Sequence, residues 1–142
     1  MRWLVLTALW IGQAASAHAQ PVVDADHRIT IVDPAPVAVG ERGAISVTIA
    51  AEAGYSISRE GPLSITVTAP PGIDPHKKRY ARADAADARA DDPRFDLRYQ
   101  VQAAGEHRLD VRLRFWVCAT RSCRPVDAQR TVVVAATLAP SP

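Results

Sequence analysis

The chain has 142 residues, 17 lysines and arginines against 15 aspartates and glutamates, a formal net charge of +2, and two cysteines. Near neutrality excludes the strongly basic face that nucleic-acid binding usually demands. Two cysteines are too few for a disulfide-dense scaffold, and the length suits one domain with a single core.

In chain order, "MRWLVLTALWIGQAASAHAQ" carries one positive charge at Arg2 and an apolar stretch from Trp3 to Ile11. Ala17 and Ala19 supply the A-x-A pattern of signal-peptidase sites, so residues 1–19 read as a signal peptide cleaved after Ala19. The apolar run is far shorter than the ~20 residues that span a bilayer. No later stretch is apolar enough to cross a membrane. The mature chain, 20–142, is therefore expected to be soluble, without a membrane span, and periplasmic or secreted, where disulfides persist.

Period-two alternation follows almost everywhere. Ile29 and Ile31 open a short strand, and "PAPVAVGERG" connects it to "AISVTIA", where Ile45, Val47 and Ile49 alternate with Ser46, Thr48 and Ala50. "GYSISREGP" holds a short extended piece between turn residues, and "LSITVTA" repeats the alternation through Leu63, Ile65 and Val67. Phe95, Leu97, Tyr99 and Val101 then face one way. Leu109, Val111, Leu113, Phe115 and Val117 do so on the longest strand, and "RTVVVAATL" closes the pattern. About seven short strands with turn signals between them predict an all-β, immunoglobulin-like antiparallel β-sandwich with its core at about 27–138. The charged, alanine-rich segment 74–93 has no apolar stripe to bury, and it reads as a long, mobile loop bridging two strands.

Both cysteines lie in "RFWVCATRSCRPVDAQRTVVV". Period two sets Cys118 in phase with Arg112, Arg114 and Trp116, opposite the core face, so it should be reachable. The loop "ATRS" suits a β-hairpin with Cys118 and Cys123 facing each other across its neck. Facing β-carbons there are about 4.5 to 5.5 Å apart, slightly long for a disulfide and closed by modest twist. So small a ring stabilises clearly less than the ~3 kcal/mol of a 15-residue loop. Arg121 and Arg124 flank Cys123, and cations near a sulfur favour its thiolate. Chemistry alone leaves two readings open, redox exchange and a purely structural disulfide. A metal site is not expected, because two cysteines with scattered His27, His76 and His107 lack zinc-ligand spacing, and no nucleophile elbow surrounds any serine. No cofactor is implied.

The stretch "FWVCATRSCRP" resembles the hairpin motif of the periplasmic N-terminal domain of the thiol:disulfide interchange protein DsbD and of its stand-alone relatives. Phe115, Cys118, Cys123 and Pro125 match the aromatic, the two cysteines and the following proline. Upstream, "VAVGERGAISVTIAAEAGYSISREGPLSITVTAPPGI" is similar to the same domains' order of turns and strands, so the resemblance spans most of residues 30 to 136. The spacing between the cysteines is one shorter than in the best-known members, Arg124 stands where tyrosine is usual, and Val126 replaces a second proline. The resemblance implies an immunoglobulin-like fold and a thiol:disulfide interchange activity. Cys118 and Cys123 would be the reacting pair, passing electrons between a membrane thiol:disulfide protein and thioredoxin-like partners. The other expectation is a non-catalytic binding or accessory sandwich in which the disulfide only stiffens the hairpin.

Overall fold

Alternating apolar residues need two sheets to bury one face of each, and the computed structural model, which describes residues 22–141, has that arrangement. The expected signal peptide and its cleavage point lie outside the described residues. Eleven strands follow in chain order: β1 (Val22–Val23), β2 (His27–Val32), β3 (Val37–Ala38), β4 (Arg42–Ala51), β5 (Ser56–Ile57), β6 (Ser64–Thr68), β7 (Ile73–Pro75), β8 (Arg79–Ala81), β9 (Arg94–Val101), β10 (Gly105–Cys118) and β11 (Cys123–Thr137). One sheet runs β1-β2-β4-β9-β7. The other runs β3-β11-β10-β6-β8, with β5 pairing β10 beyond the end of β6.

Every pairing is antiparallel except that of β3 with β11, which is parallel. Placing β2, β4, β9 and β7 side by side, and β11 beside β10 beside β6, reproduces the A-B-E-D and G-F-C orders of an immunoglobulin sandwich. The chain is therefore an all-β, immunoglobulin-like sandwich. Its core is the inner face of both sheets: Ile45, Val47, Ile49, Phe95 and Leu97 from one, Ile65, Leu109, Val111, Leu113 and Phe115 from the other, all essentially solvent-free.

The longest strands make the most continuous pairing. Gly105 opens β10 with φ of +112°, a conformation side chains disfavour, and from there no proline or glycine interrupts the strand. Its register with β11 runs unbroken from Gly105 opposite Ala136 to Cys118 opposite Cys123. β11 begins at Cys123, well before the alternation of "RTVVVAATL" starts. Pairing with β10 extends it, and not its own apolar pattern.

The charged segment departs from a single open loop. Ile73–Pro75 pairs β9 in one sheet and Arg79–Ala81 pairs β6 in the other, so its first part crosses between sheet edges. Buried Ile73 and Tyr80 are its anchors. The rest stays irregular beyond one 3-10 turn, Arg82–Asp84, and it is tied down by side chains. Asp84 accepts from the Ala81 amide at 2.8 Å and from Lys77 at 2.6 Å. The Arg82 guanidinium donates to the carbonyls of Ser58 at 3.0 Å and Ala90 at 3.2 Å.

Candidate functional site

The β10–β11 hairpin carries the cysteines to one end of the sandwich. The Ala119 amide donates to the Ser122 carbonyl at 2.8 Å, which closes the turn "ATRS". Hydrogen-bonded and non-bonded pairs alternate along an antiparallel ladder, so the next rung is a close, non-bonded one. Cys118 and Cys123 occupy it, joined as a disulfide with Cα atoms 4.0 Å apart. Cys118 therefore faces Cys123 across the neck of the hairpin, as expected from the sequence.

Period two then arranges the outward face of the hairpin in successive rungs: Cys118 with Cys123, Trp116 with Pro125, Arg114 with Asp127, Arg112 with Gln129. Cys123 is exposed and Cys118 half-buried. On the far side of Cys118 lies Ser56 of β5, and the next backbone bond runs from the Ser58 amide to the Trp116 carbonyl at 2.8 Å. The segment then turns sharply at Gly61, whose amide donates to Ser58 Oγ at 2.8 Å. A β-carbon on Gly61 would sit 3.2 Å from the Trp116 ring, so the turn packs directly on the indole. Phe115 faces the other way, 1% exposed, its ring edge-on to His27 with centroids 5.3 Å apart.

The two flanking arginines divide. Arg121 is exposed in the turn, and no carboxylate pairs with it among the described residues. Arg124 instead points from the opposite face of β11 to Asp26, donating from Nε to Oδ2 at 2.5 Å and from Nη2 to Oδ1 at 2.6 Å. Its charge is therefore engaged by Asp26, on the face opposite the Cys123 side chain. The hydrogen bonds from Arg124, assisted by His27 and opposed by burial, hold the Asp26 carboxyl at about 2. Asp26 in turn raises the Arg124 guanidinium above its ordinary value.

Asp26 and His27 were invisible to motif reading. They are the buried polar or charged residues among those described, at 7% and 2% exposure. His27 Nδ1 lies 2.7 Å from Asp26 Oδ1, and Nε2 lies 3.2 Å from Asp24 Oδ2. One signal was available: His27 falls in the inward phase of Ile29, where an apolar residue is the rule. On the outward face, Arg112 donates to Asp127 from Nε at 2.9 Å and from Nη2 at 2.7 Å, and Arg114 Nε donates to the same carboxylate at 3.1 Å. Two guanidiniums thus share one carboxylate, and the bonds from Arg112 above all hold Asp127 at about 2.

Among the described residues no three His, Cys, Asp or Glu side chains converge as metal ligands. No helix of the described residues is long and apolar enough to cross a membrane. The chemistry on offer is that of one accessible disulfide.

Comparison with known proteins adds no family. No family model matches the chain, and no curated protein matches it. Among solved structures, domains 4 and 5 of the S-layer protein SbsC align over 82% of this chain and 53% of theirs, at 13% identity and a TM-score of 0.43. The chain thus spans about half of that structure's length. AggA, the major subunit of aggregative adherence fimbriae type I from Escherichia coli, aligns over 81% of this chain and 98% of its own, at 13% identity and a TM-score of 0.36. Likenesses this distant carry nothing about function.

Proposed function

We propose that the chain is an exported thiol:disulfide exchange domain, whose Cys118–Cys123 pair passes electrons to or from a thioredoxin-like or membrane-bound thiol:disulfide partner. The observation that carries this reading is the placement of the disulfide. It lies on the outward face at the tip of a hairpin, with Cys123 exposed, where a second protein can reach it. The backbone ladder to β11 and the pairing with β5 already hold β10 on both sides of Cys118.

The exchange proceeds in two displacements. A partner thiolate attacks Sγ of Cys123, the Cys118–Cys123 bond breaks, and the electron pair leaves on Cys118 as a thiolate. A second partner thiolate then attacks the partner's sulfur in the mixed disulfide. The Cys123 thiolate departs, the partner is left oxidised, and the pair here is reduced by two electrons. The reverse sequence oxidises this chain. Cys123 takes the attack because it is exposed while Cys118 is flanked by β5.

Cys118→Ala should accumulate a mixed disulfide through Cys123 in the exporting cell, seen on a non-reducing gel, and Cys123→Ala should trap far less. If neither variant traps a partner, and a thioredoxin-like protein cannot reduce the wild-type bond at a measurable rate, exchange is ruled out. The accessory-module reading has one observation in its favour: Asp26 takes up Arg124, one of the two cations that would activate Cys123. A reduction potential below about −300 mV belongs to that reading, and a higher one to exchange.

A further inference from the structure

The hairpin's outward face does not end at the sulfurs. Continuing from the disulfide, the next rung is Trp116 opposite Pro125, and the two after it hold Arg114, Asp127 and Arg112. Rungs on one face repeat every two residues, about 6.8 Å, so the run from disulfide to Arg112 covers roughly 20 Å. That is a large part of the width of the roughly 800 Å² patch that each partner buries in an ordinary protein–protein interface. Arg121 stands at the turn beyond the disulfide.

The charges on this surface are uneven. Arg112 and Arg114 share the single carboxylate of Asp127, and Arg121 has none among the described residues. Arg59, on the neighbouring segment, is matched by Asp91, and Glu60 lies beside it. The balance near the hairpin is positive, in a chain that is otherwise nearly neutral. An apolar centre of tryptophan, proline and disulfide, bordered by guanidiniums, is how a desolvated contact with a charged rim is built.

We propose that the outward face of β10 and β11, from the disulfide through Trp116 and Pro125 to Arg112 and Arg114, docks a partner whose reactive cysteine sits in an apolar surface rimmed by carboxylates. This deepens the exchange reading and rests on it. Exposed Pro125, the disulfide and the part of the half-buried Trp116 indole that the Gly61 turn leaves open supply the apolar contact, and the arginines supply orientation and encounter rate. Such steering weakens with salt, because charges farther apart than the Debye length, about 8 Å at physiological ionic strength, cease to feel each other.

The probes are two synthetic nonapeptides, each with one cysteine and one neighbouring leucine, flanked by glutamates in one and by lysines in the other. Their rates of opening the disulfide are compared at equal thiolate concentration, with dithiothreitol as the uncharged control. At low salt the glutamate peptide should react roughly tenfold faster than the lysine peptide, and the ratio should collapse toward one in 0.5 M salt. Arg112→Gln with Arg114→Gln should remove most of the preference. Arg121→Gln, in the turn and free of contacts that hold the strands, should reduce it without any question of folding. Trp116→Ser should slow both peptides alike. Equal rates for the two peptides with normal opening by dithiothreitol overturn the docking surface and leave exchange standing. A bond that dithiothreitol cannot open overturns both.

Discussion

Arg124 has the shortest ion pair at the site, and its meaning depends on one carboxylate. Asp26 is a poorly solvated anion, its side chain 10% exposed, and a guanidinium clamps it from the neighbouring sheet. Its folded value, about 2, lies below the ordinary 3.8, so the pair stabilises the folded chain above pH 4. That stabilisation is lost as pH falls from about 4 toward 2. That difference corresponds to at most about 2 to 3 kcal/mol. The measured effect should be smaller, because Arg124 is 53% exposed and water screens it. Urea unfolding should show Asp26→Asn destabilised by about 1 kcal/mol at pH 7, with the gap closing by pH 2. A gap independent of pH would mean that packing, not charge, is what Asp26 contributes. Nothing in "VDADHRIT" foretold this residue, since its partner is 98 positions away and no spacing rule connects them.

At the scale of elements, legibility followed length. Strands that alternate over five or more residues, such as β4, β9 and β10, were readable because each apolar residue repeats the same instruction. β1, β3, β7 and β8 were not, since two or three residues hold no period. Tertiary pairing creates them, and only Ile73, just before the charged segment, and Tyr80 within it hint at the last two. The cysteine register was legible because a hairpin loop fixes which residues face, whereas the fate of Arg124 was not. The same hairpin carries a prediction about its own disulfide. The bond closes a ring with a sequence separation of 5, across strands that are hydrogen-bonded to each other and flanked by β5. Entropic stabilisation from so small a ring falls clearly below the ~3 kcal/mol of a 15-residue loop. Reduced and oxidised protein should therefore melt within a few degrees of each other, at roughly 4 °C per kcal/mol for a domain of this size. Unfolding on reduction would make the bond a structural staple and end the exchange reading.

For the whole molecule, the question is how far reduction is felt. The β2-β4-β9-β7 sheet meets the hairpin through the inner faces, where Ile45, Val47, Phe95 and Leu97 pack with Leu113 and Phe115, none of which touches solvent appreciably. The sulfurs lie on the other side of β10, turned away from that core. Interiors packed like crystals resist small displacements, so opening a bond on the outer face should not propagate through them. The nearest elements are different in kind. β5 is two residues long, and the turn from Ser58 to Gly61 is held to β10 by the Ser58 amide and by packing on Trp116. Short segments with few buried contacts open at low cost. Hydrogen exchange on the reduced protein should therefore speed up at 55–61 and 116–125, and remain unchanged in β4 and β9. Trp116 is the one tryptophan among the described residues, so in the chain from residue 20 onward its emission should report the same local event. If protection is lost in β4 and β9 as well, the disulfide is coupled to the core, and a domain that keeps its shape through both redox states is not what this sandwich provides.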